Sequence, residues 1–263
     1  MRHGSIVNER LIVDAEAPLT ERYIAAAVGI FDPGERARFL DESGAPRNPD
    51  QLPWELLYRI EPDLYARLVA GERLHEGILH WLPGHGRSVL EIAAGTGRLT
   101  LELARRAAQL TAVEPAAPLR EILRDRLREA GSGNVSVVPG FFDELPAAEQ
   151  SHDLVISCSA FSAASFDDPD RCLEGMRSRC APGGLLVLVW PSDVSWLRAR
   201  GFEHITFAGP MLVEYESLED ALGLARIFYP EAVASIARKG SRFVDFTTLG
   251  FNAPRDLCWQ RCP

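Results

Sequence analysis

An α/β fold built on a doubly wound, mostly parallel sheet is predicted by three features of the sequence. From Ser88 onward, short runs rich in Val, Leu and Ile alternate with segments of helical periodicity. The first run ends in AAGTG, Ala93 to Gly97, a small-residue turn that leads into a helix. Helices between successive strands require right-handed crossovers, which make the strands parallel and cover both faces of the sheet.

Taken in order, residues 1 to 85 read as a helical extension or lid. Asp32-Pro33 supplies an N-cap followed by Pro at the first helical position, opening a short helix toward Glu42. Ser43 to Pro53, SGAPRNPDQLP, is dense in turn formers and reads as a linker. Helical spacing resumes at Trp54, is interrupted at Pro62, and continues through Leu64, Leu68 and Leu74 to Trp81, where LPGHG closes the section. The main domain is expected over 86–263. Its first strands are expected at Ser88 to Ala93, Leu110 to Glu114, Val135 to Val138, Asp153 to Cys158 and Leu185 to Trp190. Between them, Leu99, Leu103, Ala107 and Leu110 share one helical face, and Leu119, Ile122, Leu123 and Leu127 another. Asp168-Pro169 caps a third helix, on which Leu173, Met176 and Cys180 align. The rhythm then breaks. A strand is expected at Phe202 to Ala208, a helix opened by the capping box Ser217 to Asp220, and a second helix from Pro230 to Arg238 stopped at Gly240. These helices make an insert at about 209–241, before two further strands at Phe243 to Thr247 and Leu257 to Gln260.

Composition narrows the function. Among 263 residues, 37 acids against 28 bases give a net charge of -9, which opposes a partner whose affinity depends on cancelling phosphate charge. Nucleic acid is therefore excluded as an expected partner. No apolar run approaches the roughly 20 residues that span a bilayer, and the first residues, MRHGSIVNERL, lack the apolar core of a secretory leader. No membrane partner is expected, and the chain reads as cytoplasmic. The five cysteines contain no CxxC pair, and His75, His80 and His85 fall on different helical faces. No metal site is expected.

The turn after the first strand carries the chemistry. Small residues at Ala93, Gly95 and Gly97 let a ligand press against backbone, with amides of the next helix facing it. The second strand ends in Glu114, seventeen positions after Gly97. A doubly wound sheet makes the carboxyl ends of its first two strands neighbours, so that a carboxylate there can accept both hydroxyls of a ribose. A nucleoside-containing ligand follows. The spacing is AxGxG, with Thr100 where a dinucleotide fingerprint would place its third glycine.

With Glu91 inside the first strand, this segment resembles the first motif of the class I S-adenosylmethionine-dependent methyltransferases. The resemblance continues through VEP (Val113 to Pro115), VVPGFFDELP (Val137 to Pro146), HDLVISCSAF (His152 to Phe161) and RCLEGMRSRCAPGGLLVLVWP (Arg171 to Pro191), and covers about residues 73 to 191. It implies a Rossmann-like sheet of seven mostly parallel strands, S-adenosyl-L-methionine as cofactor, and direct in-line methyl transfer. Carried over by position, Gly95 and Gly97 line the methionyl part, and Glu91 orders that loop or meets the ammonium. Glu114 holds the ribose hydroxyls, with Pro115 beside it. Ser157, at the end of the fourth strand, joins the cofactor set. Arg73, on the resembling helix before the first strand, meets the cofactor carboxylate, and Tyr65 covers the cofactor. Two departures stand out. Ala93 replaces the first glycine, which the turn accepts if its φ is negative. Phe141 replaces the acid of the third segment, which shifts the adenine contact to Asp143 or to the backbone or ring of Phe142.

The acceptor pocket is expected around Ser159, Phe161 and Tyr215, covered by the N-terminal helices and the insert. SCSAF stands where nucleic-acid amino-methylating members carry a Pro-Pro-aromatic motif, so a small-molecule metabolite or natural product is the expected acceptor. No catalytic base can be named, and a homodimer is left open. Two rivals remain: a binding protein that keeps the nucleoside pocket without catalysis, and a nicotinamide oxidoreductase, which the missing third glycine disfavours.

Overall fold

The computed structural model describes residues 17–19, 22, 27–83, 85–145 and 151–263. The N-terminal expectations before residue 17, Gly84 of the LPGHG turn and Pro146 of the third motif lie outside the described residues. The helices are α1 (Ala27–Ile30), α2 (Pro33–Phe39), α3 (Leu52–Ile60), α4 (Pro62–Ala70), α5 (Glu76–Trp81), α6 (Thr100–Ala104), α7 (Ala117–Glu129), α8 (Pro169–Arg177), α9 (Val194–Arg198), α10 (Leu218–Phe228) and α11 (Val233–Lys239). The strands are β1 (Ser88–Ile92), β2 (Gln109–Val113), β3 (Val135–Val138), β4 (His152–Cys158), β5 (Cys180–Val189), β6 (Glu203–Thr206), β7 (Leu212–Glu214), β8 (Phe243–Asp245) and β9 (Asp256–Arg261).

Seven strands form one sheet in the order β3-β2-β1-β4-β5-β9-β6, with β9 antiparallel to both neighbours and β1 to β5 parallel. The chain winds outward from β1 to β3, then returns to place β4 on the other side of β1. That reversal puts the switch point between β1 and β4. Helices cover both faces. Ile78 of α5, Leu103 of α6 and Leu123 of α7 pack on the face carrying Leu110, Ala112 and Ile156. Leu173 and Met176 of α8, with Leu197 of α9, pack on the face carrying Ile92, Val113 and Leu186. Each such fully buried aliphatic side chain contributes about 1.5–3 kcal/mol of transfer free energy.

Local signals account for most boundaries. Asp32 accepts from the Glu35 amide while the Glu35 side chain returns to the Asp32 amide, a complete capping box on α2. Asp168 and Ser217 cap α8 and α10 through the amides of Arg171 and Asp220. Gly240, at φ 61, ends α11.

Four expectations change. Leu74 is not helical: α4 stops at Ala70 and α5 restarts only at Glu76, with His75 Nδ1 accepting from the Gly77 amide. Leu110 belongs to β2 rather than to the helical face of Leu99, because α6 is a helix of only 5 residues. The fifth strand begins at Cys180 instead of Leu185, its register shifting against β4 between His152 and Leu154. The strand β7 was not anticipated; three residues are too few to show alternation, and it exists by pairing with β8. Between β7 and β8, the helices α10 and α11 build their own core with Leu68 of α4, Val213, Tyr215, Leu224 and Phe246.

The break after α4 has a packing cause. Gly71 lies so close to β7 that a Cβ there would stand 2.6 Å from the Glu214 carbonyl oxygen, and the Glu214 amide donates to the Gly71 carbonyl at 3.2 Å. Gly71→Ala is therefore expected to cost about 1–3 kcal/mol through overpacking against backbone that cannot yield. Urea unfolding checks this: the midpoint should fall with an unchanged slope, whereas an unchanged midpoint would show that the contact is slack.

Candidate active site

The carboxyl edge of the sheet is where the chain departs from relaxed backbone geometry. Among the described residues, the non-glycine positions with positive φ are Ala93 (59°), Ser159 (56°) and Trp190 (53°), directly after the adjacent strands β1, β4 and β5. Each left-handed L-residue costs about 1–2 kcal/mol, and such positions concentrate where function over-determines the backbone. Ala93 thus contradicts the expected negative φ: the turn keeps its left-handed geometry and the alanine bears the strain. Gly95 (57°) and Gly97 (96°) share that conformation. A Cβ at Gly97 would lie 2.5 Å from Leu123 Cδ1, so a larger residue would have to displace that side chain of α7 as well as adopt a φ of 96°. Arg126 of α7 holds the turn from the same side, donating to Thr96 O at 2.9 Å and Thr96 Oγ1 at 3.0 Å.

Glu114 is 4% exposed and bridges two segments. Its Oε2 accepts from the Gly95 amide at 2.9 Å and its Oε1 from the Ala116 amide at 2.8 Å. Burial pushes the carboxyl up to about 7, the two amides drawing it back. Glu91 is 1% exposed, and its Oε2 has no hydrogen-bond partner, as has Thr100 Oγ1. Burial pushes its carboxyl up to about 8. On the opposite face of the sheet, beside Ile92, Ser157 Oγ is also buried without a partner. Orphaned buried polar atoms cost free energy and call for a ligand, ion or water.

Tyr65 lies over the turn: a Cβ at Gly95 would be 3.6 Å from its hydroxyl. Its ring meets Tyr58 of α3 edge-on at 4.7 Å. Pro115 lines a cavity of about 690 Å³ at the carboxyl ends of β2 and β3, bounded across from it by Asp32, Glu35 and Arg59 of the N-terminal helices. Phe142 is buried and meets Phe161 at 5.6 Å and Phe166 at 5.3 Å. Asp143 is held outside this group by a two-point pair with Arg38 of α2, at 2.6 and 2.8 Å. Phe141 lies under the same guanidinium, 4.0 Å from ring centre to Arg38 Cζ.

Three expected residues sit differently from their sequence reading. Arg73 is 77% exposed and pairs with Glu214 at 3.2 Å, because the helix expected to carry it is broken at Gly71 and turns it to the surface. The guanidinium beside the turn belongs to Arg98. Phe161 is packed among Phe142, Phe166 and Trp196 instead of lining an open pocket, while Ser159 is exposed at the rim. Tyr215 is buried with its hydroxyl unpartnered, in the core of the insert.

The cluster around Arg98 was missed. Its Nη1 donates to Glu72 Oε2 at 2.9 Å, its Nη2 approaches Cys158 Sγ at 3.8 Å, and its Cζ lies 5.4 Å from the Trp190 ring centre. Tyr229 donates to the other Glu72 oxygen at 3.4 Å. Arg98 stands next to Gly97, a signal that was readable; Glu72 and Tyr229 come from distant segments that no local pattern connects. Among the described residues, no group of three His, Cys, Asp or Glu is placed to hold a metal ion, and no helix is long and apolar enough to cross a membrane.

The two raised carboxyls set a pH dependence. Both keep their protons when folded over a range where the unfolded chain has lost them. Their contribution to stability is therefore present at low pH and is lost as pH rises through about 7 for Glu114 and about 8 for Glu91. Between about pH 5 and 8, Glu91→Gln should flatten the decline in unfolding free energy relative to wild type. Parallel slopes from urea titrations across that range would contradict this.

The chain's likenesses agree with this architecture. Residues 89–184 match the family model described as a methyltransferase domain. An uncharacterised methyltransferase of Mycobacterium tuberculosis is 33% identical over 129 residues, 48% of this chain and 50% of the relative. A ubiquinone/menaquinone biosynthesis C-methyltransferase of Psychromonas ingrahamii is 33% identical over 127 residues, 46% of this chain and 50% of that protein. The chain thus spans about half the length of the curated relatives it matches. Among solved structures, a chain of the complex between the Haloferax volcanii Trm112 methyltransferase activator and a methyltransferase superimposes with a TM-score of 0.52 at 16% identity, covering 78% of this chain and 96% of that one. That likeness shows the fold alone. Motif order, sheet order and the matched model thus agree on a methyltransferase domain over residues 89–184 of this chain.

Proposed function

We propose that this protein binds S-adenosyl-L-methionine and methylates a small-molecule acceptor. The observation that carries the reading is Glu114, a buried carboxylate tied to the Gly95 amide at the switch point, with lone pairs still available for a ribose diol. The residues present fit the cofactor. Gly95 and Gly97 bring bare backbone to the edge, Glu91 and Ser157 leave buried oxygen atoms unpartnered there, and the cavity beside Pro115 has volume for a purine. Bound, the cofactor would supply a methyl group on a sulfonium sulfur that departs as a neutral thioether.

The chain's own part is to hold and to exclude. Glu114 would accept the ribose hydroxyls, Gly95 and Gly97 would flank the methionyl part, and Glu91 would order the turn or meet the ammonium. Pro115 and Phe142 would border the adenine. Asp143 would reach the adenine amine only by releasing Arg38. Tyr65 would close the site from above, excluding water, while collinear positioning supplies up to about 7–11 kcal/mol of the barrier reduction. The acceptor side is supported as small-molecule by the net charge of -9 and by the quinone-pathway C-methyltransferase among the relatives.

Calorimetric titration of S-adenosylhomocysteine tests the reading. Wild type should bind it at micromolar concentration. Glu114→Ala should weaken binding by about 10²-fold or more, since it removes a charged double acceptor worth roughly 1.5–3 kcal/mol per hydrogen bond. No binding by wild type, or binding of NAD in its place, would contradict the assignment.

A further inference from the structure

The function proposed above gives no role to the Glu72–Arg98 cluster. Glu72 lies in the short segment after α4, with its side chain 8% exposed, and Arg98 opens the approach to α6. Tyr229 arrives from the end of α10. The lid, the sheet edge and the insert thus converge on one carboxylate, beside the turn covered by Tyr65. Both Glu72 oxygens have donors, but the bond from Tyr229 to Oε1 is long at 3.4 Å, and the hydroxyl of Tyr215, 3% exposed and facing both groups, has no partner. Beside them runs an aromatic wall. Trp190, in its strained left-handed conformation, lies 5.8 Å from Phe251, which lies 5.3 Å from Tyr229, and all three rings stay half-buried.

We propose that Glu72 is the proton acceptor for a flat, hydroxyl-bearing aromatic methyl acceptor, with Arg98 and Tyr229 as its positioning residues. This rests on the methyltransferase reading above. The wall suits a planar ring. The Glu72–Arg98 pair carries no net charge, which suits a neutral acceptor, and the carboxylate suits one that gives up an O–H proton. In the step, the acceptor O–H bond breaks and its proton passes to Glu72. The electron pair left on oxygen forms the bond to the methyl carbon, while the carbon–sulfur pair returns to sulfur. Glu72 then gives the proton to solvent. Burial raises the Glu72 carboxyl above the ordinary range, Arg98 opposing. The other titratable groups facing it are Tyr65 from α4, Cys158 from β4, and Tyr215 and Tyr229 from the insert.

The test uses 1-naphthol and methyl-labelled S-adenosylmethionine with the full chain, alongside titration of S-adenosylhomocysteine. Wild type should methylate 1-naphthol on oxygen, with a rate that rises as Glu72 loses its proton. Glu72→Gln should lower that rate by about 10²–10⁴-fold and lose this limb of the pH profile while binding S-adenosylhomocysteine unchanged. Glu72→Asp should recover part of the rate. If Glu72→Gln also loses ligand binding, Tyr229→Phe decides, because it keeps the ion pair. A fall of about tenfold or more at unchanged ligand affinity supports the proposal, and an unchanged rate overturns it. Normal ligand binding with no transfer to 1-naphthol, or a wild-type rate in Glu72→Gln, also overturns it and leaves the methyltransferase reading standing. Failure of wild type to bind S-adenosylhomocysteine overturns both.

Discussion

The carboxylate of Glu114, accepting the amides of Gly95 and Ala116, is the interaction on which the arrangement of the carboxyl edge depends. It fixes the end of β2 against the turn after β1, two segments that share strand pairing only up to Ile92 and Val113. Removing a carboxylate of this kind from water is expensive, and two backbone donors return only part of that cost. The remaining deficit is seen in the carboxyl's raised titration and in the neighbouring orphan at Glu91. A domain selected only for stability would place apolar side chains here. The edge is instead built with unsatisfied polar atoms and left-handed non-glycine residues at the ends of β1, β4 and β5, an arrangement suited to receiving a polar ligand.

Around that edge, residues 67–72 are tied to the insert and to the turn after β1. Gly71 accepts from the Glu214 amide, Arg67 pairs with Asp220 on α10, and Arg98 reaches Glu72 between them. On the other side, Arg38 grips Asp143 and lies over Phe141, fastening α2 to the loop after β3. Phe141 thus packs under a side chain of α2, its ring centre 4.0 Å from Arg38 Cζ.

The fold was legible because its signals are local. Crossover helices carried a cap, such as Asp168, or an apolar stripe such as Leu119, Leu123 and Leu127, and the parallel strands carried apolar runs, although β5 begins five residues before its run. The elements that escaped were those made by tertiary contact: the three-residue β7, and the break at Gly71, whose cause lies more than a hundred residues away. The site divided in the same way. Gly95, Gly97 and Glu114 stand on one turn and one strand end, so spacing alone placed them together. Arg73 was misplaced because its helix was assumed continuous, and Glu72 and Tyr229 were invisible because they meet only after the insert folds over the sheet.

The most direct measurement of the central claim is a crystal structure of the protein with S-adenosylhomocysteine. The ribose hydroxyls are expected on the Glu114 carboxylate, the amino acid end along Gly95 and Gly97, and the thioether sulfur directed toward the Glu72–Arg98 pair. A nucleoside seated away from the carboxyl ends of β1 and β2, or one that leaves Glu114 bound only to its own backbone amides, would contradict it.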